Sequence, residues 1–383
     1  MNFTRILDLN RYPHSAFLFG PRMTGKTHLL KEFKEAHYFD LLDPEAELEL
    51  KRTPRLFWER LSAVQPGALV IVDEIQRVPA LLDYVQKGIE EKQLRFILSG
   101  SSARKLKRGS ANLLGGRAIE LRLHPLTFRE IGKAFRLEAA CQYGTLPRIT
   151  QLWLENQEEA LRLLLRSYYT TYIKEEIQAE ALTRNVGAFQ RFLLVAVQSN
   201  AQVIEFSNIA RDCSVPASTV KEYFSILEDT LIGEFLWPWD RSERRKARPK
   251  FYFFDCGVVR AIQNRLIDPP TTDEFGFLFE TWMVREFIRL RDYLGKPHEF
   301  AFWREGPHEI DLLVMRSGKP ILAVEFKSSS GAMAAATLTA FRQRFGDVPI
   351  LVASSGDRTA RQLENGLSIL PWSEALERYE ALV

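Results

Sequence analysis

The sequence has little of what would suggest a disulfide-bonded or metal-binding protein. It contains three cysteines, Cys141, Cys213 and Cys256, in a chain of 383 residues. They are far apart, and the six histidines are scattered as well, so no zinc site is predicted. A few isolated cysteines are typical of a reducing compartment. We therefore expect free thiols and a cytoplasmic protein.

Long apolar runs and an excess of charge of one sign are also lacking. No apolar stretch reaches the roughly 18 residues of a membrane-spanning helix, and no signal-peptide pattern is present. The 52 Lys and Arg residues nearly balance 49 Asp and Glu residues, for a net charge of +3. We expect no membrane partner, and any nucleic-acid signal has to be local. With 46% hydrophobic residues, the chain can form two or three packed domains.

The most informative stretch, residues 20–27, reads G-x-x-x-x-G-K-[ST], the phosphate-binding P-loop. A strand-like apolar run precedes it and helical spacing follows at residues 28–35, which is the context that the motif requires. Gly20 and Gly25 lack a Cβ, so the backbone can adopt positive φ around a phosphate. Lys26 provides a charge for the β- and γ-phosphates, and Thr27 a hydroxyl for Mg²⁺. The predicted nucleotide-binding residues are Gly20, Pro21, Arg22, Met23, Thr24, Gly25, Lys26, Thr27 and His28.

Acidic and hydroxyl side chains follow two further apolar runs. Residues 68–73 resemble a strand buried on both faces and end in Asp73 and Glu74. In a parallel sheet these acids lie at the ligand-binding edge, where Asp73 would hold Mg²⁺ and Glu74 would polarise the attacking water. The alternative is a helix cap after a strand. The next strand delivers Ser99, with Ser101 as the second choice, to bond the γ-phosphate or its water.

Four motifs in order carry a family resemblance: Gly-Pro-Arg-x-x-Gly-Lys-Thr, Val-Asp-Glu-Ile-Gln-Arg-Val-Pro, Leu-Ser-Gly-Ser-Ser-Ala-Arg-Lys-Leu and Gly-Arg-Ala followed by Leu-x-Pro-Leu-Thr-Phe-x-Glu. They resemble the bacterial and archaeal AAA+ ATPases that join this module to a C-terminal domain of unknown function. The resemblance implies ATP as cofactor, a ring such as a hexamer, and an arginine finger, for which Arg117 is the first candidate. Alternatively, Arg117 tethers a group of its own domain. Arg148 is a candidate second sensor, and the short segment before Ser15 reduces the part that would hold adenine.

A helix-turn-helix pattern occupies the middle of the chain. Residues 207–212 and 218–227 are the two helices, with Val220, Phe224 and Leu227 on one face. A β-ribbon follows, and its basic segment, residues 241–250, predicts a wing that lies across DNA phosphates. The alternative is a winged helix that packs against protein. The predicted DNA-binding residues are Ser218, Thr219, Lys221, Arg241, Arg244, Arg245, Lys246, Arg248 and Lys250.

The C-terminal third combines a helix with three strands that carry acidic residues. By strand alternation Glu325 and Lys327 share a face, and a hairpin can bring Asp311 beside Glu325. With Glu280 on the helix, the set looks like the PD-(D/E)XK nuclease core. That likeness implies Mg²⁺ on Asp311 and Glu325, Glu280 completing the metal shell or orienting a water, and Lys327 on the scissile phosphate. A salt-bridge cluster or a retired nuclease are the alternatives.

Together these patterns predict an α/β protein of three parts. Residues 1–150 form a P-loop AAA+ domain with a parallel sheet, 151–265 a helical lid and winged-helix domain, and 266–383 an α/β PD-(D/E)XK-like domain. The predicted function is ATP hydrolysis that remodels branched or duplex DNA in recombination or repair, with uncertain nuclease activity. An ATP-dependent signalling switch and an initiator-like DNA loader are the alternatives.

Overall fold

The first part of the chain folds around a parallel sheet. In the computed structural model, the described residues are 3–101, 114–173, 186–239 and 248–382. Five parallel strands lie in the order β2-β3-β4-β1-β5. Their bounds are β1 Ser15–Phe19, β2 His37–Asp40, β3 Leu69–Asp73, β4 Arg95–Gly100 and β5 Ala118–Arg122. The parallel sheet confirms the predicted fold class.

Burial explains the sequence of these strands. Residues of β1, β3 and β4 are almost all buried because helices pack on both faces of the sheet, and such strands need apolar side chains on both sides. The helices are α1 Lys26–Leu30, α2 Pro44–Arg52, α3 Arg55–Ser62 and α4 Leu81–Lys92. The helix predicted over residues 28–35 is wrong in extent, because α1 ends at Leu30 and turns follow it.

Helices dominate the next part of the chain. Short helices lead out of the sheet: α5 Phe128–Ile131, α6 Leu137–Tyr143, α7 Pro147–Leu154 and α8 Glu158–Ser167, followed by a π-helical turn at Tyr168–Ile173. Then come α9 Val186–Gln198, α10 Phe206–Cys213, α11 Ala217–Asp229 and an antiparallel ribbon of β6 Gly233–Leu236 and β7 Lys250–Phe253. Val220, Phe224 and Leu227 are buried, which confirms the predicted inner face of α11.

The last part combines a second sheet with the longest helix among the described residues. After α12 Cys256–Ile262, helix α13 spans Thr272–Leu294. The sheet has the order β12-β13-β11-β10-β9-β8, antiparallel from β8 to β10 and parallel from β10 through β11 to β13. The remaining bounds are β8 Glu299–Glu305, β9 His308–Arg316, β10 Lys319–Lys327, α14 Ala335–Phe345, β11 Ile350–Ser354, β12 Arg361–Gln362, β13 Ser368–Pro371 and α15 Trp372–Glu380.

Among the described residues, one hydrophobic cluster crosses the boundaries of the three predicted parts, whereas another lies wholly within the part that contains the second sheet. The first of these clusters extends from Leu126 to Tyr379 and includes side chains of the helical part, the ribbon and α13. The first sheet has its own two clusters, one on each face. Helix α13 therefore packs as a shared central element rather than as the first element of a separate unit.

Candidate functional site

The P-loop connects the end of β1 to α1 and is shaped by two glycines. A Cβ on Gly20 would lie 2.4 Å from the carbonyl oxygen of Leu123, so only glycine fits against the end of β5. Gly25 has φ +93° and caps the start of α1. The expectation of a positive φ is therefore met at Gly25, whereas Gly20 is needed for close approach and has no left-handed backbone.

Lys26 lies at the centre of this loop. Its Nζ donates to the carbonyl oxygens of Gly20, at 2.7 Å, and Pro21, at 3.2 Å, and the residue is buried. Thr24, also buried, donates from its hydroxyl to Pro21 at 2.8 Å. These bonds hold an ammonium inside the loop, where a phosphate can replace the two carbonyl oxygens as its partner.

A cavity of about 680 Å³ opens beside the P-loop. P-loop residues, helix α2 and the segment after β3 line it: Arg22, Met23, Gly25, Lys26, Thr27, His28, Leu42, Glu47, Lys51, Glu74, Gln76, Arg77 and Ser101. Glycine-shaped backbone, an ammonium, the Thr27 hydroxyl and acidic side chains are the donor set that a nucleoside triphosphate with Mg²⁺ requires. The residues present fit these groups.

Asp73 ends β3 and is completely buried. Its two oxygens accept hydrogen bonds from Ser99 and, at 2.7 Å, from the hydroxyl of Tyr38. Burial raises the pKa of Tyr38 far above its usual range, and the hydrogen bond to Asp73 adds to this. Asp73 and Ser99, which were both predicted, thus meet at the carboxyl edge of the sheet. The contact of Tyr38 with Asp73 is not predicted by the sequence patterns.

Glu74 is held on the cavity side by neighbouring polar groups. It has the left-handed backbone φ of 61°, and its N–H donates to the Ser99 hydroxyl at 2.9 Å. Gln76 donates from its amide to the Glu74 carboxylate and to the Ser101 hydroxyl, the latter at 3.3 Å. Gln76 is a site residue that the sequence analysis does not predict. Its place two residues after Glu74, in the motif Val-Asp-Glu-Ile-Gln-Arg-Val-Pro, is the signal that could have indicated it.

Arg117 lies at the opposite edge of the sheet. It directly precedes β5, whose first residue, Ala118, pairs with Ser15 at the start of β1, whereas the P-loop follows the end of β1. Its guanidinium pairs with Glu90 of α4 at 2.7 Å. Arg117 therefore cannot act on the nucleotide of its own chain, and within this chain it has the tethering contact that was the alternative prediction.

Two other elements approach the P-loop. Arg148 is exposed and bonds Gln151 at 2.7 Å, and the ring of the preceding Pro147 would lie 3.8 Å from a Cβ on Gly25. The Tyr168 hydroxyl donates to the carbonyl oxygen of Arg22 at 3.2 Å. The helical part thus contacts the nucleotide-binding loop, as a lid would.

Apart from Lys250, the predicted DNA-binding residues separate into three groups. Ser218 and Lys221 are exposed on α11 and Thr219 is half-buried there. Arg248 is exposed and pairs with Glu205. The predicted contacts Arg241, Arg244, Arg245 and Lys246 lie outside the described residues.

Lys250 is wrong as a predicted DNA contact, because its side chain is only 4% exposed. Its Nζ lies 2.8 Å from Glu280, 2.7 Å from Glu309 and 3.4 Å from Asp311. Although burial alone would lower the pKa of Lys250, the neighbouring Tyr252 and carboxylates hold that pKa well above its usual value. The side chain is an internal counter-ion.

This position of Lys250 also changes the predicted metal site. Asp311 accepts from the N–H of Phe326 at 2.9 Å, and Glu325 pairs with Lys327 at 2.8 Å, so the four residues of the nuclease-like set do converge. Within the described parts of the chain, however, no group of three or more His, Cys, Asp or Glu side chains could hold a metal ion. Two lysine ammonium groups lie among the carboxylates, Lys250 beside Glu280, Glu309 and Asp311, and Lys327 beside Glu325. The set therefore offers Mg²⁺ no open position between its oxygens.

Two carboxyl groups of this cluster have raised pKa values. Burial raises the pKa of Glu280 to about 7, with Lys250 opposing and Asp311 reinforcing the shift. Burial and the nearby Asp311 raise the pKa of Glu325 to about 8. A raised pKa means that the folded protein retains a proton that the unfolded chain loses above its ordinary value of 4.5.

We predict a measurable effect of this proton on stability. The contribution of Glu325 is fully present below pH 4.5, declines as pH rises and is lost above about 8. Glu325→Gln cannot ionise, so at pH 8.5 it should be more stable than wild type by about 1–3 kcal/mol, with the difference vanishing toward pH 5. Chemical denaturation across this pH range measures it, and the exposed Glu305→Gln is the matched control. A pH-independent difference would contradict the prediction.

The sheet order, the P-loop after β1 and the Asp73–Glu74 pair at the end of β3 are those of a P-loop fold of the AAA+ type. Residues 13–132 match the family model described as AAA domain. Residues 135–267 match a domain of unknown function (DUF8612), and residues 275–375 match another (DUF4143).

Two relatives and one solved structure are similar to the chain. An uncharacterized protein from Mycobacterium tuberculosis is 25% identical over 325 residues, which covers 82% of this chain and 70% of that protein. An uncharacterized protein from Haemophilus influenzae is 20% identical over 272 residues, which covers 63% of this chain and 67% of that protein. The Aeropyrum pernix ORC1 protein in complex with DNA has a TM-score of 0.33 and 13% identity, covering 67% of this chain and 86% of that one. A TM-score this low supports no conclusion about function.

None of the described helices is both long and apolar enough to span a membrane.

Proposed function

We propose that this protein hydrolyses ATP and uses the energy to bind and remodel DNA. The observation that carries the ATPase half is the convergence of Lys26, Thr27 and Glu74 on one cavity, with Asp73 directly behind it. Lys26 would bind the β- and γ-phosphates, and Thr27 and Asp73 would hold Mg²⁺, which supplies charge neutralisation at the phosphates. Glu74 would orient the attacking water.

Hydrolysis in this proposal is completed between subunits. Ser99, which already contacts both Asp73 and the backbone of Glu74, would connect the metal ligand to the water-orienting carboxylate. Arg117 would serve the nucleotide of the next subunit in a ring, because its position at the opposite sheet edge leaves only that route. The exposed pair with Glu90 is a weak contact that assembly can exchange for a phosphate.

The DNA half of the proposal rests on the middle region. The order of α9, α10, α11 and the β6–β7 ribbon supports the proposal of a winged helix, and α11 has a buried apolar face and an exposed polar one. An exposed helix of this kind can enter a major groove. Branched or duplex DNA, as met in recombination or repair, is the proposed substrate.

Metal-dependent cleavage is not included in the proposed function. The Lys250 ammonium lies among Glu280, Glu309 and Asp311, so it occupies the position that a metal ion bound to these carboxylates would need. A DNA loader with an inactive nuclease-like part is compatible with the same geometry, and it differs in requiring sequence-specific duplex binding.

A partner-binding switch is the second candidate. The observation that favours it is the charge of the exposed side of α11, where Lys221 is followed directly by the exposed Glu222, so the face has no net positive charge. A neutral helix face suits a protein partner better than a phosphate backbone. This candidate predicts ATP hydrolysis that DNA does not stimulate.

We expect Lys221→Glu to weaken DNA binding roughly tenfold at about 0.1 M salt and to lower the salt slope by about 1, because one phosphate contact is lost. Anisotropy on single-stranded, duplex, forked and four-way-junction DNA measures binding, and the ATPase rate is followed on the same DNAs. Lys34→Glu, an exposed charge reversal in the first domain, is the control. Equal affinities and an ATPase rate indifferent to all four DNAs would contradict the proposal and favour the partner-binding switch.

A further inference from the structure

The last turn of α13 is joined to the edge of the P-loop domain by short polar contacts. The Tyr293 hydroxyl accepts from the N–H of His124 at 2.9 Å and from Arg5 at 3.0 Å. Asp292 bonds the His124 ring at 2.7 Å. His124 lies two residues beyond β5, next to the Leu123 carbonyl that packs against Gly20. The C-terminal end of α13 therefore abuts the base of the P-loop.

Arg5 continues this contact into the loop itself. Its side chain is 6% exposed, and its guanidinium donates to the carbonyl oxygens of Thr24, at 2.7 Å, and His124, at 2.6 Å. Glu130 balances the charge at 2.9 Å. One buried side chain thus joins the P-loop, the end of the sheet and α13.

The N-terminal half of α13 reaches the β6–β7 ribbon. Glu280 accepts from Lys250 at 2.8 Å and from Tyr252 at 2.7 Å, both on β7. Thr281 accepts from Asn200 at 2.6 Å. Tyr293 lies thirteen residues after Glu280 in the helix, which is about 20 Å along the axis.

Side chains in the middle of α13 contact several neighbouring elements. A displacement of one end of the helix is therefore transmitted to these elements. Arg289 donates to the carbonyl oxygens of Leu126, at 3.0 Å, and Phe254, at 3.3 Å. Arg285 pairs with Glu234 of β6 at 3.0 Å. A helix held on this many sides moves as a unit rather than by bending.

We infer that Arg5 and Tyr293 are positioning residues that couple the nucleotide state of the P-loop to α13 and, through it, to the ribbon. The inference rests on the proposed nucleotide binding. Lys26 has to exchange its bonds to the Gly20 and Pro21 carbonyls for phosphate oxygens, and Arg5 fixes the same loop at Thr24. Because binding couplings are reciprocal, a contact that α13 makes with the loop alters nucleotide affinity as much as nucleotide alters α13.

Tyr293→Phe tests this coupling, because it removes one hydroxyl and no packing volume. It leaves Arg5 and the His124 N–H without this acceptor. We expect ADP affinity, measured with a fluorescent analogue, to fall roughly fivefold, in line with the loss of a charge-assisted hydrogen bond. We also expect ADP to slow amide exchange of residues 286–294 in wild type, and to do so much less in the variant.

Tyr379→Phe is the matched control, since Tyr379 is a buried tyrosine on α15 whose hydroxyl contacts His298 at 3.3 Å and has no link to the P-loop. A purely structural role for Tyr293 would make the two variants lose similar thermal stability with nucleotide affinity unchanged in both. Arg5→Lys is a second variant, which keeps the charge but cannot span all the acceptors, and should weaken ADP binding as well.

The outcomes are distinct. Weaker ADP binding in Tyr293→Phe and Arg5→Lys, with wild-type binding in Tyr379→Phe, supports the coupling. Equal affinities in all four proteins, or no ADP-dependent change in exchange over residues 286–294 of wild type, overturn it and leave the proposed ATPase intact. Failure of wild type to bind ADP overturns the proposed function itself.

Discussion

Lys26→Ala should lower the affinity for ATP by roughly 30-fold or more. Truncating one partner of a buried, hydrogen-bonded charge pair costs about 2–5 kcal/mol, and 1.4 kcal/mol is about a factor of ten. Lys26 is buried at the centre of the loop, and with ATP bound its ammonium would form such a pair with the phosphates in place of the Gly20 and Pro21 carbonyl oxygens. Titration with a fluorescent ATP analogue, with and without Mg²⁺, measures the effect.

Glu74→Gln is the companion variant that separates binding from hydrolysis. The amide keeps the size of the carboxylate but cannot accept a proton from water, so the hydrolysis rate should fall on the order of 100-fold or more while ATP binding persists. Two results would contradict the assignment of the site: unchanged ATP affinity in Lys26→Ala, or a Glu74→Gln protein that hydrolyses ATP at the wild-type rate. Thermal melting of both variants without nucleotide checks that neither loss reflects unfolding.

The first sheet could be predicted from the sequence because its signals are local. A strand buried on both faces needs a continuous apolar run, and residues 68–73 and 94–98 provide one. The chain direction then brings the residues that follow each run to one edge of the sheet, which is why Asp73 and Ser99 meet. The inner face of α11 was predictable for a similar reason, since its helical period is contained within ten residues.

The contacts of Lys250 and Arg5 could not be predicted in this way, because they join parts of the chain that are distant in sequence. Lys250 lies in a basic run, which indicates a solvated loop, yet it is the first residue of β7 and shares a face with Tyr252. That face is covered by carboxylates that follow 30 to 61 residues later. Arg5 lies 288 residues from Tyr293, and a periodic sequence pattern cannot predict a contact between residues so far apart.

In the nuclease-like cluster, the motif correctly predicts which residues lie together but not their chemistry. Asp311, Glu325 and Lys327 do come together, as strand alternation predicts, but the motif says nothing about a cation supplied from another strand. A single ammonium among three carboxylates turns a predicted metal site into a buried ion-pair network. The chemistry of the cluster therefore depends on a residue outside the motif.

Lys250→Met should destabilise the protein by about 3–5 kcal/mol, because it leaves Glu280, Glu309 and Asp311 without their buried counter-ion. Methionine retains most of the length and apolar volume of the lysine stem, so the effect reports charge rather than packing. Denaturant unfolding at pH 7 measures it. Lys327→Met is the matched control, since the Lys327 side chain is 36% exposed and pairs with Glu325; solvent screening should limit that loss to about 1 kcal/mol.

A second substitution separates the ion-pair network from a metal site. Adding Glu280→Gln to Lys250→Met removes one unpaired carboxylate and should restore part of the lost stability, because the remaining repulsion is smaller. Mn²⁺ should leave the unfolding of the nucleotide-free wild-type protein unchanged, since Lys250 occupies the carboxylates that a cation would need. If Mn²⁺ stabilised wild type and Glu325→Gln abolished that gain, the cluster would be a metal site in which Lys250 gives way to the cation. If Lys250→Met were no less stable than Lys327→Met, the carboxylates would not depend on Lys250, and the internal counter-ion would be rejected.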